Sequence, residues 1–154
     1  RESGIPYTIV RATQFFEFLG RITDAATVDG KVRLQPVLIQ PMAADDVAKA
    51  VGRASVSAPA NGMVEVGGPQ SYRLDELVRQ ALGKRNDPRE VLTDAQAPYF
   101  GVVNMDEGAL LPGASAAIAD TRLEDWVKAN APRPAAPKPS ASNAVGGQGV
   151  RPAS

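Results

Sequence analysis

The feature that most constrains the fold of this chain is the apolar ribbon at residues 7–12, which leads directly into a polar and aromatic stretch at residues 13–16. The ribbon is rich in β-branched side chains, a composition typical of a strand covered on both faces. Pro6 precedes it, at a point where the loss of one backbone donor is tolerated. A buried strand so early in a chain needs neighbouring strands. The sequence therefore predicts the carboxyl-terminal part of an α/β protein whose first half is absent.

Strand-like and helix-like segments alternate after this ribbon. Apolar residues at three- and four-residue spacing predict a helix that is capped by Thr13 and followed by Gly30. The further predicted strands are residues 31–39, 63–66 and 90–93, and the further predicted helices are residues 44–51, residues 74–82 and a last helix opened by a capping box at residues 121–124. Such alternation is typical of a mostly parallel sheet.

Residues 132–154 differ sharply in composition from the rest. They are Ala, Pro, Ser and Gly with almost no bulky apolar side chain, so they cannot bury enough surface to offset the entropy of ordering. We therefore predict a globular part at residues 1–131 and a disordered tail at residues 132–154. Residues 131–154 also hold three basic and no acidic residues, which leaves 14 basic against 17 acidic residues before them. An acidic body argues against a nucleic-acid partner.

The residue types that are missing exclude several kinds of chemistry. The chain has no Cys and no His, so disulfides, thiolate zinc sites and Ser-His-Asp or Cys-His centres cannot form from it alone. No metal site is predicted. No apolar run approaches the roughly 20 residues that cross a bilayer, so we expect no membrane partner and a cytoplasmic location.

The loop that follows the first strand is the strongest candidate for a site, because ligands of parallel sheets bind beyond the carboxyl ends of strands. In one interpretation, Thr13 and Gln14 face a ligand while Phe15 and Phe16 line a pocket. In the other, the same residues are a helix cap followed by core aromatics, and residue types alone favour this. Tyr99 lies in a Pro-Tyr-Phe-Gly corner that either packs the core or closes over a substrate.

Two other motifs have structural interpretations that outweigh functional ones. Asp45 and Asp46 suit the first turn of a helix, where negative charge complements the dipole, and one of them could also hold a neighbouring loop. Gly67 and Gly68 follow a strand like a phosphate-binding loop, but the third glycine and the immediate helix are missing. A tight turn is the favoured interpretation.

Several residue strings, taken in order, resemble the carboxyl-terminal half of the atypical short-chain dehydrogenase/reductases, the NmrA-like NAD(P)-binding family. The similarity covers nearly all of residues 1–131. The strings are residues 4–11 with Phe15-Phe16, Asp45-Asp46-Val47-Ala48, Val66-Gly67-Gly68-Pro69, Leu74-Asp75-Glu76-Leu77, Ala97-Pro98-Tyr99-Phe100-Gly101, Leu110-Leu111-Pro112-Gly113 and Leu123-Glu124-Asp125-Trp126.

The resemblance implies an α/β fold, the carboxyl-terminal part of a Rossmann-type parallel sheet with a small substrate-side lobe. It implies NAD(P) as cofactor. The residues that it places beside the dinucleotide are Arg11, Ala12, Thr13, Gln14 and Phe15, and those that it places on the substrate side are Phe16 and Tyr99. It also implies that the segment from Pro41 to Asp46 packs behind the loop in a supporting role.

The chain departs from the family at the residues that perform the chemistry. The glycine-rich phosphate loop of the family belongs to the amino-terminal half. The Tyr-x-x-x-Lys pair of the active reductases is missing, because Arg11, Glu76 and Val103 stand four residues after Tyr7, Tyr72 and Tyr99. We therefore assign no catalytic residue in this chain.

The resemblance implies two functions for the intact protein. The first is an NAD(P)-dependent oxidoreductase that transfers hydride to or from a small carbonyl, alcohol, quinone or sugar-like substrate, with this chain as its substrate-side portion. The alternative is an NmrA-like regulator that senses the redox state of the dinucleotide and transmits it to a protein partner without turnover.

Overall fold

The structure, a computed structural model, describes residues 4–130. The strands are β1 (Thr8–Ala12), β2 (Thr27–Val28), β3 (Lys31–Leu34), β4 (Leu38–Ile39), β5 (Gly62–Gly67), β6 (Tyr72–Arg73), β7 (Glu90–Thr93) and β8 (Ala117–Ile118). The helices are α1 (Leu19–Ala25), α2 (Ala44–Val56), α3 (Leu74–Lys84) and α4 (Leu123–Ala129), and a 3-10 turn (Phe16–Phe18) precedes α1. The predicted tail at residues 132–154 lies outside the described residues.

The predicted α/β class is confirmed, because the chain folds into a mixed α/β structure around a parallel sheet. That sheet has the strand order β1-β5-β8, with all neighbours parallel. In its register, Val10 lies opposite Val64 and Ala12 opposite Val66. Helix α2 covers one face of the sheet, where Ala50 packs in a small core with Val66.

A second sheet and the larger core lie beside the first. Strand β3 pairs antiparallel with β2 and parallel with β7, and helix α3 packs against β7. Buried residues of this core include Val32, Leu74 and Val78. Strands β4 and β6 form a two-stranded antiparallel pair. The predicted single strand at residues 31–39 is therefore wrong, since it divides into β3 and β4, which belong to different sheets.

Strand β1 is an edge strand within residues 4–130. It pairs with β5 on one side, and no other strand of the described chain pairs with its second side. One of its two faces is also largely uncovered: Ile9 is 39% exposed, and its register partner Met63 is 49% exposed. The prediction of a strand covered on both faces is wrong for this part of the chain. Parallel sheets are usually covered on both faces, so the open face and edge are unusual.

Two predicted helix starts are also wrong. Thr13 caps no helix, because its hydroxyl donates to the carbonyl oxygen of Gln40, 2.6 Å away. The turn after β1 begins instead after Phe15, without a side-chain cap. Helix α4 follows Arg122 rather than Thr121, again without a side-chain cap. Helix α3 continues through Gly83 to Lys84.

None of the helices among residues 4–130 has the length and apolarity to span a bilayer.

Candidate functional site

The candidate site lies where the parallel strands β1 and β5 end. Arg11 and Glu65 are register partners near these ends, and the Arg11 guanidinium lies 3.1 Å from a Glu65 carboxylate oxygen. The other oxygen of Glu65 accepts the backbone N–H of Gly113 at 3.1 Å. Glu65 therefore links the ends of two strands to the loop at residues 108–113.

The loop after β1 is held by backbone hydrogen bonds on both sides. The N–H of Thr13 donates to the carbonyl of Val66 at 3.1 Å, and the N–H of Met42 donates to the carbonyl of Gln14 at 2.9 Å. The N–H of Phe16 donates to Met42 in turn, at 2.9 Å. The loop is therefore rigid, and the segment that begins at Pro41 lies behind it, as the resemblance implied.

The two glycines after β5 serve close packing. A Cβ on Gly68 would overlap the carbonyl oxygen of Pro41, and a Cβ on Gly67 would lie 2.8 Å from Cγ of Pro112. Both glycines are buried. They therefore allow neighbouring segments to pack closely and leave no open cradle for a phosphate. The predicted tight turn is not formed here, because Gly67 ends β5 and the N–H of Gly68 donates to the carbonyl of Gln40, in another segment.

A cavity of about 70 Å³ opens at this edge of the sheet. Four of the five residues predicted to lie beside a dinucleotide line it, and the rest of its wall comes from the end of β5 and from the loop that approaches it. The lining residues are Arg11, Ala12, Thr13, Gln14, Glu65, Val66, Ala109, Leu110, Leu111 and Pro112. Sites that enclose a whole ligand have volumes of roughly 300–1,000 Å³. This cavity is therefore large enough for one functional group, and a dinucleotide would need further walls.

The aromatic residues after the loop have different positions. Phe15 is not among the residues that line the cavity, and its ring packs edge-on against Phe18, with 5.7 Å between centroids. Phe16 is 2% exposed and packs on Trp126, with 5.5 Å between centroids. Such burial favours a core role for Phe16. Its predicted contact with a substrate stays a prediction.

Tyr99 lies beside Gln14 but does not line the cavity. Burial raises the pKa of the Tyr99 hydroxyl, and a hydrogen bond with the side-chain amide of Gln14 lowers it in smaller measure. The backbone of Tyr99 pairs with Val102 in a tight turn, at 2.8 and 3.0 Å. Phe100, inside that turn, has φ of 46°, a conformation that is rare for a bulky residue.

Gln35 positions this turn, and the sequence analysis did not identify it. Its amide nitrogen donates to the carbonyls of Ala97 and Val102, at 2.7 and 3.0 Å, and its amide oxygen accepts the N–H of Met105 at 2.9 Å. The side chain is buried, and all its partners lie more than 60 residues away in sequence. No local pattern marks such a residue.

A second cavity, of about 80 Å³, lies between α2 and β8, and Asp46, Lys49 and Asp120 are among its lining residues. Burial alone would raise the pKa of Asp46, but hydrogen bonds from Lys49 and Thr121 and the charge of Lys49 bring it below its ordinary value. The N–H of Thr121 donates to Asp46 at 3.2 Å. Asp46 therefore holds the loop before α4, a role that the sequence analysis suggested for one of these two aspartates.

Among residues 4–130, no group of three or more His, Cys, Asp or Glu side chains is placed to hold a metal ion. The fold and the site define an α/β protein with a small cleft at the carboxyl ends of two parallel strands. No protein-family model matches the chain, and no curated protein matches it.

Proposed function

We propose that this chain is the substrate-side portion of an NAD(P)-dependent oxidoreductase. The single observation that carries the proposal is the rigid polar loop at residues 11–14, which lines a cavity at the carboxyl ends of two parallel strands. Ligands of open α/β sheets bind at this edge. The resemblance to the NmrA-like family rests in part on the residues that flank this loop, which are residues 4–11 before it and Phe15-Phe16 after it.

The sequence analysis predicted an interior strand, whereas β1 lies at an edge within residues 4–130, so the proposal requires a neighbouring strand from outside this part of the chain. A three-stranded parallel sheet with apolar side chains exposed on one face, such as Ile9 and Met63, resembles part of a larger sheet. A strand and a helix added beside β1 would cover this face and would enlarge the wall of the cavity. A dinucleotide site built across two such halves is typical of Rossmann-type proteins.

The residues present fit one end of the cofactor and not the other. Thr13 and Gln14 supply polar groups beside apolar walls, which suits an uncharged ring amide, whereas buried Gly67 and Gly68 leave no room for a pyrophosphate. When bound, the nicotinamide would supply or accept the hydride. The role of this chain is to orient that ring, to present the substrate and to exclude water.

The proposal is tested by NADPH oxidation in the full-length protein, with a panel of small carbonyl and quinone acceptors. We expect turnover with at least one acceptor, and we expect the 154-residue chain alone to bind NADPH more weakly than micromolar. Micromolar affinity for NADPH in the chain alone would contradict the proposal that this chain is only the substrate-side portion. Lack of both binding and turnover in the full-length protein would contradict the oxidoreductase itself.

The alternative is a dinucleotide sensor that acts on a protein partner without turnover. The turn at residues 99–102 favours this candidate, because it exposes apolar side chains that a partner could cover: Phe100 is 69% exposed and Val102 is 53% exposed. NADPH binding by the full-length protein without oxidation by any acceptor would support the sensor.

A further inference from the structure

Three exposed asparagines among residues 4–130 adopt the left-handed backbone conformation. They are Asn61, Asn86 and Asn104, with φ of 49°, 52° and 53°. Asparagine enters this region more readily than most residues other than glycine, so the conformation alone distinguishes none of them. Asn61 differs from the other two in its successor, because Gly62 follows it. No other asparagine of the chain precedes a glycine.

The glycine after Asn61 removes a steric barrier to attack on the side chain. The backbone nitrogen of residue 62 has to approach Cγ of Asn61 to close a five-membered ring, and a Cβ on residue 62 would crowd that approach. Gly62 has no Cβ. It is also the first residue of β5, and the hydrogen bonds at the end of a strand open more readily than those in its middle.

The side-chain carbonyl of Asn61 faces a backbone donor. The N–H of Tyr7 donates to Oδ1 of Asn61 at 3.4 Å, and the N–H of Asn61 donates to the carbonyl of Tyr7 at 2.7 Å. Negative charge develops on Oδ1 as the ring closes, and a backbone N–H aimed at that oxygen stabilises it. The loop before β5 therefore combines an unhindered nucleophile with a donor for the developing oxyanion.

We propose that Asn61 is a site of spontaneous deamidation. The Gly62 nitrogen forms a bond to Cγ of Asn61, and the side-chain nitrogen leaves as ammonia with the proton that Gly62 gives up. Water then opens the ring at one of its two carbonyls. Opening at Cγ breaks the new bond and leaves aspartate with an ordinary backbone. Opening at the backbone carbonyl breaks the original peptide bond and leaves isoaspartate, in which the main chain runs through the former side chain.

Isoaspartate at position 61 would disturb the start of the parallel sheet. It adds one methylene to the main chain between the N–H of Asn61, which is bonded to Tyr7, and Gly62, which lies opposite Thr8. The N–H of Ala60 is tied to the same strand, because it donates to the Thr8 hydroxyl at 2.9 Å. With a longer main chain between them, these attachments no longer match the spacing of β1. Isoaspartate should therefore loosen the start of β1 from β5, whereas aspartate should not.

The first test incubates the 154-residue chain in warm, mildly alkaline buffer and follows each asparagine by peptide mass spectrometry. A deamidated peptide is about 1 Da heavier than the original. Asn86 and Asn104 share the backbone conformation and the exposure of Asn61, so they are internal controls. We expect Asn61 to convert at least about tenfold faster than either. Similar rates at the three positions would overturn the proposal.

Gly62→Ala is the matched variant, because it changes the attacking residue and leaves Asn61 in place. A Cβ on Gly62 would lie 3.7 Å from the carbonyl oxygen of Ala60, an ordinary contact, so the variant should fold. We expect conversion at Asn61 to slow about tenfold, with unchanged rates at Asn86 and Asn104. An undiminished rate at Asn61 would overturn the proposal. If the variant does not fold, the comparison within the natural chain still decides the question.

The second test measures hydrogen exchange of the backbone amides at residues 7–9. We expect several-fold faster exchange in chains that carry isoaspartate at position 61, separated by chromatography, than in the natural chain. Asn61→Asp adds the charge without the methylene, so its exchange should stay close to that of the natural chain. Exchange that is no faster with isoaspartate than in Asn61→Asp would overturn the predicted loosening of β1. None of these measurements uses a dinucleotide, so their outcome is independent of the proposed oxidoreductase function.

Discussion

The indole N–H of Trp126 donates a hydrogen bond to the carboxylate of Glu17 at 2.9 Å, across 109 positions of the sequence. The same carboxylate accepts the backbone N–H of Ala44, with both oxygens 3.2 Å from the nitrogen. Ala44 is the first residue of α2, and Ala43 before it has no side chain that could cap the helix. Glu17 therefore caps α2 from a distant segment and ties α4 to the turn after β1.

Replacing Glu17 by Ala should lower the free energy of unfolding by about 1 kcal/mol, the usual effect of losing a helix cap. Denaturant unfolding monitored by the fluorescence of Trp126, the single tryptophan, measures this directly. Glu17→Gln keeps an acceptor oxygen and should lose less. Equal losses in the two variants would show that the charge, rather than the hydrogen bonds, carries the effect.

Gly68→Ala should severely destabilise the fold, because its Cβ would overlap the Pro41 carbonyl. A loss of about 3 kcal/mol or more is expected where the backbone cannot move. Gly52→Ala is the matched control: Gly52 lies within α2 with open space around it, so alanine should stabilise the helix by about 1 kcal/mol. Thermal unfolding of both variants checks the prediction, and a stable Gly68→Ala variant would contradict the packing described here.

Asp75 should tolerate no loss of charge. Asp75 is 1% exposed, and its carboxylate accepts hydrogen bonds from the Thr93 hydroxyl at 2.6 Å and from the Arg73 guanidinium at 3.1 and 3.2 Å. Asp75→Asn should lower the free energy of unfolding by roughly 1–2 kcal/mol, since Arg73 keeps only the exposed Glu76, at 3.6 Å, as a charged partner and solvent screens its charge. Chemical denaturation measures this loss. Thr93→Val removes one hydrogen bond and should cost about 1 kcal/mol; equal losses would contradict the leading role of Arg73.

Acid should destabilise the fold through two buried carboxylates. For both Asp46 and Asp75, burial raises the pKa. Hydrogen bonds and nearby positive charge together lower it by more, so the folded-state pKa lies below the ordinary value of 3.8. The unfolded state then binds more protons near pH 4, and stability rises with pH there. We expect full stability above about pH 5 and a progressive loss as the pH falls below 4. Melting temperatures from pH 7 to pH 3 measure this, and in Asp75→Asn the acid loss should be smaller.

The Thr13 hydroxyl should matter for the rigidity of the site. Thr13→Val removes its hydrogen bond to Gln40 and should lower the free energy of unfolding by about 1 kcal/mol. Under the proposed function, the same variant of the intact oxidoreductase should raise the dissociation constant for NADPH several-fold, because the loop is no longer pre-organised. Fluorescence titration with NADPH measures the change, and Thr13→Ser, which keeps the hydroxyl, should bind like the natural protein.

Local sequence patterns predicted the helices and strands that depend mainly on the spacing and type of neighbouring residues. Apolar spacing predicted α2 and α3 close to their observed starts at Ala44 and Leu74, and the strand at residues 90–93 matches β7. The general rule for parallel strands predicted a cavity at these strand ends, and four of the five residues that the family resemblance placed beside a dinucleotide line it. Their contact with a cofactor stays a prediction.

The parts that the sequence did not predict depend on distant contacts. Glu17 and Gln35 act through partners more than 60 residues away or through several segments at once, and their side chains are ordinary in their local setting. Thr13 is a residue type that often caps helices, but its hydroxyl donates a hydrogen bond to the carbonyl of Gln40, in another segment. The division of residues 31–39 between two sheets likewise depends on partners that local propensity does not determine.

The unpaired side of β1 has a consequence for handling the chain. Among residues 4–130 no strand pairs with the outer side of β1, and apolar Ile9 is exposed on it; such an edge is a template on which another strand can form. Concentrated solutions of the 154-residue polypeptide should therefore associate edge to edge and, on prolonged storage, bind thioflavin T as fibrils do. A charged substitution such as Ile9→Lys should reduce this association and fibril formation.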